Sequence, residues 1–183
     1  MRLIYCLFIG LLINACSSEQ KSDQTEALAP KTELKASIAE LEKEVFDATG
    51  QLKPSKATEL LSLYYGFANN NQLNDTSAEY LYLAAEMEMG LKRYDEAINT
   101  FERVVQNYPE FDKAPQSAYL MAFINDEYLD KKGKAKELYE KMINRFPRHP
   151  LANDARASIQ LLGMSDEDIL KMLEEKNKEN SPS

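Results

Sequence analysis

Two stretches of this chain constrain its fold more than any other feature. They are EYLYLAAEMEMGLKRYDEAINTFERVVQNYPEF at 79–111 and SAYLMAFINDEYLDKKGKAKELYEKMINRFPRHP at 117–150. Ala97 and Ala135 lie 38 residues apart, and the same interval separates Phe101 from Tyr139, Val104 from Met142, Val105 from Ile143, Tyr108 from Phe146 and Pro109 from Pro147. Self-similarity at such a period marks stacked supersecondary units. Ala97, Ile98, Phe101, Val104, Val105 and Tyr108 recur at three- and four-residue steps, as do Ala135, Leu138, Tyr139, Met142, Ile143 and Phe146. That is one face of a helix in each copy. The prolines close both helices, because the residue before a proline is pushed out of helical geometry. A small alanine lets one helix approach its neighbour, and an aromatic one turn later fills the gap between hairpins. A hairpin alone leaves much of its apolar surface in water, so such hairpins stack.

The flanks continue the helical pattern. Leu34, Ile38, Leu41, Val45 and Phe46 form one stripe, which Gly50 is expected to close. Pro54 starts a further helix with Ala57, Leu60, Leu61, Tyr64, Tyr65 and Ala68 on its apolar face, and NNNQLNDTS at 69–77 reads as a turn-rich connection. The segment at 149–163 begins another first helix. SDEDILKMLEE at 165–175 reads as a last, capping helix with a Ser-x-x-Asp start. Nothing alternates like a half-buried strand, so the fold class is all-α, with about eight helices.

The paired stretches resemble tetratricopeptide repeats, whose second helix carries a small residue, an aromatic four later, an apolar residue three further on and a closing proline. Ala97, Phe101, Val104 and Pro109 match that pattern, as do Ala135, Tyr139, Met142 and Pro147. Tyr94 fits the bulky position at the hairpin turn, and Lys132 does not. In the first helices Leu81 and Ala85 fit, whereas the 38-residue shift puts Tyr119 and the large Phe123 in their places. The resemblance implies a right-handed superhelix of stacked antiparallel hairpins over residues 33–176. The clearest repeats are at 78–111 and 116–149, and residues 33–71 form a degenerate preceding hairpin. The stretches around the two closing prolines also resemble envelope proteins of the BamD and CpoB type, which carry such repeats.

The N-terminus begins MRLIYCLFIGLLINAC. Its apolar run is about half the roughly 20 residues that cross a bilayer. Arg2 before it and Ala15 at its end make residues 1–15 a secretory signal. Ile13-Asn14-Ala15-Cys16 resembles a bacterial lipobox, which implies lipidation of Cys16. Acyl chains there would be the membrane anchor, since two chains hold where one does not. Residues 16–32 read as a lipidated flexible tether and 177–183 as a disordered tail. The implied place is the bacterial envelope, at the outer membrane and facing the periplasm.

The chain has 22 basic and 30 acidic side chains, a net charge of −8. A nucleic-acid footprint would be basic and clustered, so nucleic acid is not an expected partner. The lone histidine, His149, lies in the loop RFPRHP without a partnered base. There is no Gly-rich phosphate loop, no CxxC pair and no HExxH. The expectation is therefore no enzyme, no cofactor and no resident metal.

What remains is binding. Transferring the family's geometry, in which the first helices line the concave side, nominates Glu79, Tyr82, Glu86 and Met89 from one repeat. From the next it nominates Ser117, Leu120, Ile124 and Glu127. Apolar and aromatic groups rimmed by glutamate suit an apolar or basic peptide segment. The expected function is a lipid-anchored scaffold for another envelope protein. The alternatives are a chaperone-like or wall-associated helper that holds exported chains and, further off, a glycan-capture lipoprotein. The absence of tryptophan and the short body disfavour the last.

Overall fold

The structure, a computed structural model, describes residues 31–179. The signal at 1–15, Cys16, nearly all of the tether and residues 180–183 lie outside the described residues. The helices are α1 (Lys31–Glu44), α2 (Pro54–Asn70), α3 (Asp75–Gly90), α4 (Tyr94–Asn107), α5 (Ala114–Phe123), α6 (Lys132–Arg145), α7 (Leu151–Leu161) and α8 (Asp166–Glu179). A π-helical turn at Ile124–Tyr128 continues α5. Each helix from α1 to α6 packs on the next. The result is an all-α tetratricopeptide-like solenoid.

Local sequence explains most boundaries. Pro54 begins α2, where its missing N–H costs nothing. Tyr108 and Phe146, each before a proline, leave helical geometry at φ −133° and −126°, so α4 and α6 end there. Asn74 caps α3 by accepting from the Thr76 amide at 2.9 Å. Ser165 accepts from the Asp168 amide at 3.2 Å, which is the Ser-x-x-Asp start of α8.

The core falls into two contiguous clusters. Ile38, Leu41, Val45, Leu60, Leu61, Tyr64 and Phe67 join α1 to α2 and reach Ala84. Phe101, Val104, Tyr139 and Met142 are centred in the second, which runs from α2 to α7. Ala85, Ala97, Ala122 and Ala135 are fully buried, as close helix approach requires.

Four expectations need correction. Helix α1 ends at Glu44, six residues before Gly50. The chain then turns through a β-bridge between Phe46 and Leu52. Asp47 organises that turn: its Oδ1 accepts from the Thr49 amide at 2.8 Å, the Thr49 hydroxyl at 2.6 Å and the Gln51 amide at 2.9 Å. Gly50 serves the turn, at φ +80°. The 69–77 connection shrinks to residues 71–74, because α2 runs through Asn70 and α3 begins at Asp75. The Asn70 and Asn71 side chains donate back to the Gly66 and Phe67 carbonyls and finish α2. At the other end, residues 177–179, read as tail, belong to α8.

The fourth correction concerns register. The loop after α3 closes with the Leu91 amide on the Met87 carbonyl, whereas its counterpart closes with the Leu129 amide on the Ile124 carbonyl. One extra residue is absorbed by the π-turn, as single-turn π-bulges do. The first helices therefore correspond at 37 residues and the second helices at 38. Ala85 then pairs with Ala122 and Tyr82 with Tyr119, which removes the mismatch at Tyr119 and Phe123. Ring geometry agrees: Tyr82 meets Phe101 at 5.8 Å and 60°, and Tyr119 meets Tyr139 at 5.4 Å and 55°.

Candidate binding face on the first helices

The corrected register changes which side chains reach the surface. One residue is about 100° around a helix. Ser117 and Ile124, nominated at 38 residues, are fully buried, and Ser117 donates to the Lys113 carbonyl at 2.9 Å. The true counterparts of Glu79, Tyr82 and Glu86 are Gln116, Tyr119 and Phe123. Leu120 is half-buried against the core, and Glu127 is exposed.

In the preceding repeat Glu86 is exposed, and Glu79 and Met89 are half-buried. Tyr82 is buried at 2 % exposure. It packs on Phe101 and Phe111 under the Lys113 ammonium, 4.7 Å from its ring. Its hydroxyl donates to Glu86 Oε1 at 2.7 Å, and burial pushes the phenol pKa up. Lys113 itself is paired with Glu79 at 2.9 Å. Tyr82 is thus a core residue that holds Glu86 in place.

Among the described residues, two clefts with aromatic or apolar walls open along the first helices. The first, about 340 Å³, lies between α1, its following turn, α2 and α3. Phe46, Leu52, Leu83 and Met87 line it, with Glu42 and Glu86 at its rim. Phe46 is 53 % exposed, held beside Leu52 by the bridge that Asp47 organises. Glu42 accepts from the Tyr64 hydroxyl at 2.7 Å. Both rim carboxylates are therefore oriented by a tyrosine from beneath. The second cleft, about 500 Å³, has Tyr119, Phe123 and Tyr139 on its wall, with Asp126, Glu127 and Lys132 around them. Asp126 and Lys132 pair at 2.8 Å.

Sequence reasoning named Glu79, Glu86, Met89 and Glu127 on this face, and missed Phe46, Leu52, Leu83, Met87, Tyr119 and Phe123. The exposed Phe46 carried no signal while the α1 stripe was extended to Gly50. Tyr119 and Phe123 were legible as misfits in a small-residue position, which is the mark of a slipped register.

Among the described residues no group of three His, Cys, Asp or Glu side chains is placed to hold a metal ion. No helix among them is long and apolar enough to cross a membrane.

A tetratricopeptide-repeat family model matches residues 79–110 and 116–149. The two matched segments begin 37 residues apart, the interval of the first helices in the structure. Those two segments are tetratricopeptide repeats within an all-helical solenoid, an architecture that suggests a scaffold for protein partners. No curated protein matches the chain.

Proposed function

We propose that this protein is a lipid-anchored scaffold of the bacterial envelope, tethered through Cys16, whose first-helix face holds an apolar and basic segment of another envelope protein. The observation that carries the binding half is the cleft of Phe46, Leu52, Leu83 and Met87 under Glu42 and Glu86. Pockets that hold peptide side chains are mostly apolar with a few placed polar groups. An aliphatic or aromatic side chain would fill this one while a neighbouring lysine or arginine met the two carboxylates. The net charge of −8 adds long-range attraction for such a segment. The lipobox resemblance at Ile13–Cys16 and the likeness to BamD- and CpoB-type repeat proteins support the envelope half. An outer-membrane position facing the periplasm is part of the same proposal.

In-cell crosslinking of the native protein, followed by mass spectrometry, tests the binding half. The expected result is one dominant envelope partner, lost in Phe46→Ser with Glu86→Lys while the helical content is kept. Tyr82→Ala is unsuitable, because it damages the core. A broad set of exported chains, unchanged by the double substitution, would overturn the scaffold reading in favour of a chaperone-like holder. Palmitate labelling of wild type and Cys16→Ser tests the anchor independently.

A further inference from the structure

The opposite side of the stack has a different electrostatic character. A groove of about 500 Å³ runs between α4 and α6 over a floor from α5. Ile98, Val105, Met121 and Leu138 give it an apolar base. Its α6 wall carries Lys131, Lys134, Lys141 and Arg145, and its α4 wall carries Asp95 and Glu102. On an acidic protein this is a local excess of positive charge. Two cations close its ends: Arg145 donates to the Val105 carbonyl at 2.6 Å, and Lys131 lies 3.7 Å from Asp95. Lys134 and Lys141 stand between them, two helical turns or about 10.5 Å apart, with Leu138 between. Both lean on the exposed Glu137, at 3.0 Å and 2.6 Å. Such exposed pairs on one helix contribute little to stability and exchange readily for other partners.

Helix α8 has the complementary features. Among the described contacts it has no extensive packing on another helix, and its half-buried Ile169 borders the second cleft with Tyr139 and Leu161. Leu170 is 60 % exposed, second only to Leu73 among the bulky apolar side chains of the described residues. Glu167 and Glu174, both exposed, flank Leu170 on the same face, again two turns apart, and Glu167 leans on the exposed Lys171 at 2.9 Å, as the groove lysines lean on Glu137. Glu–Leu–Glu on α8 thus matches Lys–Leu–Lys on α6 in sign and spacing.

We propose that the groove between α4 and α6 receives α8 of a second copy of this chain, so that two copies pair reciprocally. Leu170 lies over Leu138 and the apolar floor, and Glu167 and Glu174 meet Lys134 and Lys141. Each copy gives one helix and one groove, and the reciprocal two-fold arrangement, in which each groove holds the other copy's helix, closes the assembly at two. The groove is separate from the cleft between α1, α2 and α3 and leaves that cleft open to another partner, whereas Ser165 and Ile169 of the α8 segment border the second cleft.

The test is charge exchange, read by sedimentation and native mass spectrometry of the full chain in detergent. Wild type is expected to dimerise with rising protein concentration. Lys134→Glu with Lys141→Glu sets two acidic surfaces against each other, and Glu167→Lys with Glu174→Lys sets two basic ones. Each double variant is expected to weaken the dimer at least about tenfold, since repulsion replaces two rim ion pairs in each of the two grooves. An equimolar mixture of the two variants makes both reciprocal contacts complementary, one as in wild type and one with its charges exchanged, and should recover a dimer that contains one of each. Association through acyl chains cannot give that recovery. If a charge reversal disturbs folding, Lys134→Gln with Lys141→Gln and Leu170→Ser are the substitutes, each expected to weaken the dimer. A wild type that stays monomeric, a dimer indifferent to the substitutions, or a mixture that fails to recover overturns the proposal.

Discussion

Glu88 is the least comfortable residue in the core, and replacing it with glutamine should stabilise the fold. It sits near the end of α3, 5 % exposed, and its carboxylate reaches Tyr65 of α2. The Tyr65 hydroxyl donates to its Oε1 at 2.5 Å. With that proton committed, Thr100 of α4 donates to the Tyr65 oxygen at 2.7 Å. The other carboxylate oxygen, Oε2, is buried without a hydrogen-bond partner. Burial raises its pKa from the ordinary 4.5, with Glu96 adding repulsion, while Tyr65, Thr100 and Arg93 oppose the shift. A buried polar atom without a partner costs about 1–3 kcal/mol, and more when charged. A glutamine side chain there would keep an acceptor for Tyr65 and remove the buried charge, while its amide nitrogen takes the unpartnered place of Oε2, so the gain comes from the charge alone. The expected gain for Glu88→Gln at neutral pH is about 1–2 kcal/mol, or roughly 2–4 °C in Tm per kcal/mol for a chain of this size.

The pH dependence carries the stronger test. A raised native pKa means that the folded state holds the proton more tightly than the unfolded chain. The Glu88 contribution is therefore complete below 4.5 and is lost as pH rises through the native value. Glutamine has no proton to lose. Urea unfolding at a series of pH values should show the variant ahead of wild type at neutral pH, with the difference closing in acid. A difference independent of pH, or a variant less stable at neutral pH, would refute the account of Glu88 as a strained buried acid.

Other outcomes follow from the packing. Phe101→Ala empties the centre of the second core cluster and should cost about 3–5 kcal/mol by denaturant unfolding. Ala85→Leu forces bulk into a fully buried helix contact and should cost about 1–3 kcal/mol, although the new side chain is a good helix former. Asp47→Ala removes three hydrogen bonds from the 45–53 turn, and amide exchange at Thr49 and Gln51 should speed up while the helices stay protected. These bonds hold the Asp47 pKa below its ordinary value. The turn's stability is therefore present above that value and lost as pH falls through the lowered one, so exchange in wild type should approach the variant in acid.

The all-helical class, the stacked hairpins and the second-helix register were legible in the order of residues. Those follow from local physics: a 3.6-residue apolar period, alanines that permit close approach, and prolines that end α4 and α6. The exposure of the carboxylates at Glu86 and Glu127 was legible too, because a solvated face is written in side-chain type, whereas Glu79 is half-buried against Lys113. The rest came from packing between segments. A 38-residue spacing read from the second helices carried no information about the residue absorbed in the π-turn at Ile124–Tyr128. That residue rotates Ser117 and Ile124 into the core and brings Tyr119 and Phe123 to the cleft. Likewise the apolar stripe of α1 continues past Glu44 in sequence, yet the chain leaves the helix there. The Asp47 turn and the Phe46–Leu52 bridge satisfy the backbone in another way. Helical periodicity records which residues share a face. Which face meets a neighbour, and where a helix yields to a turn, depends on hydrogen bonds and contacts between segments distant in the chain.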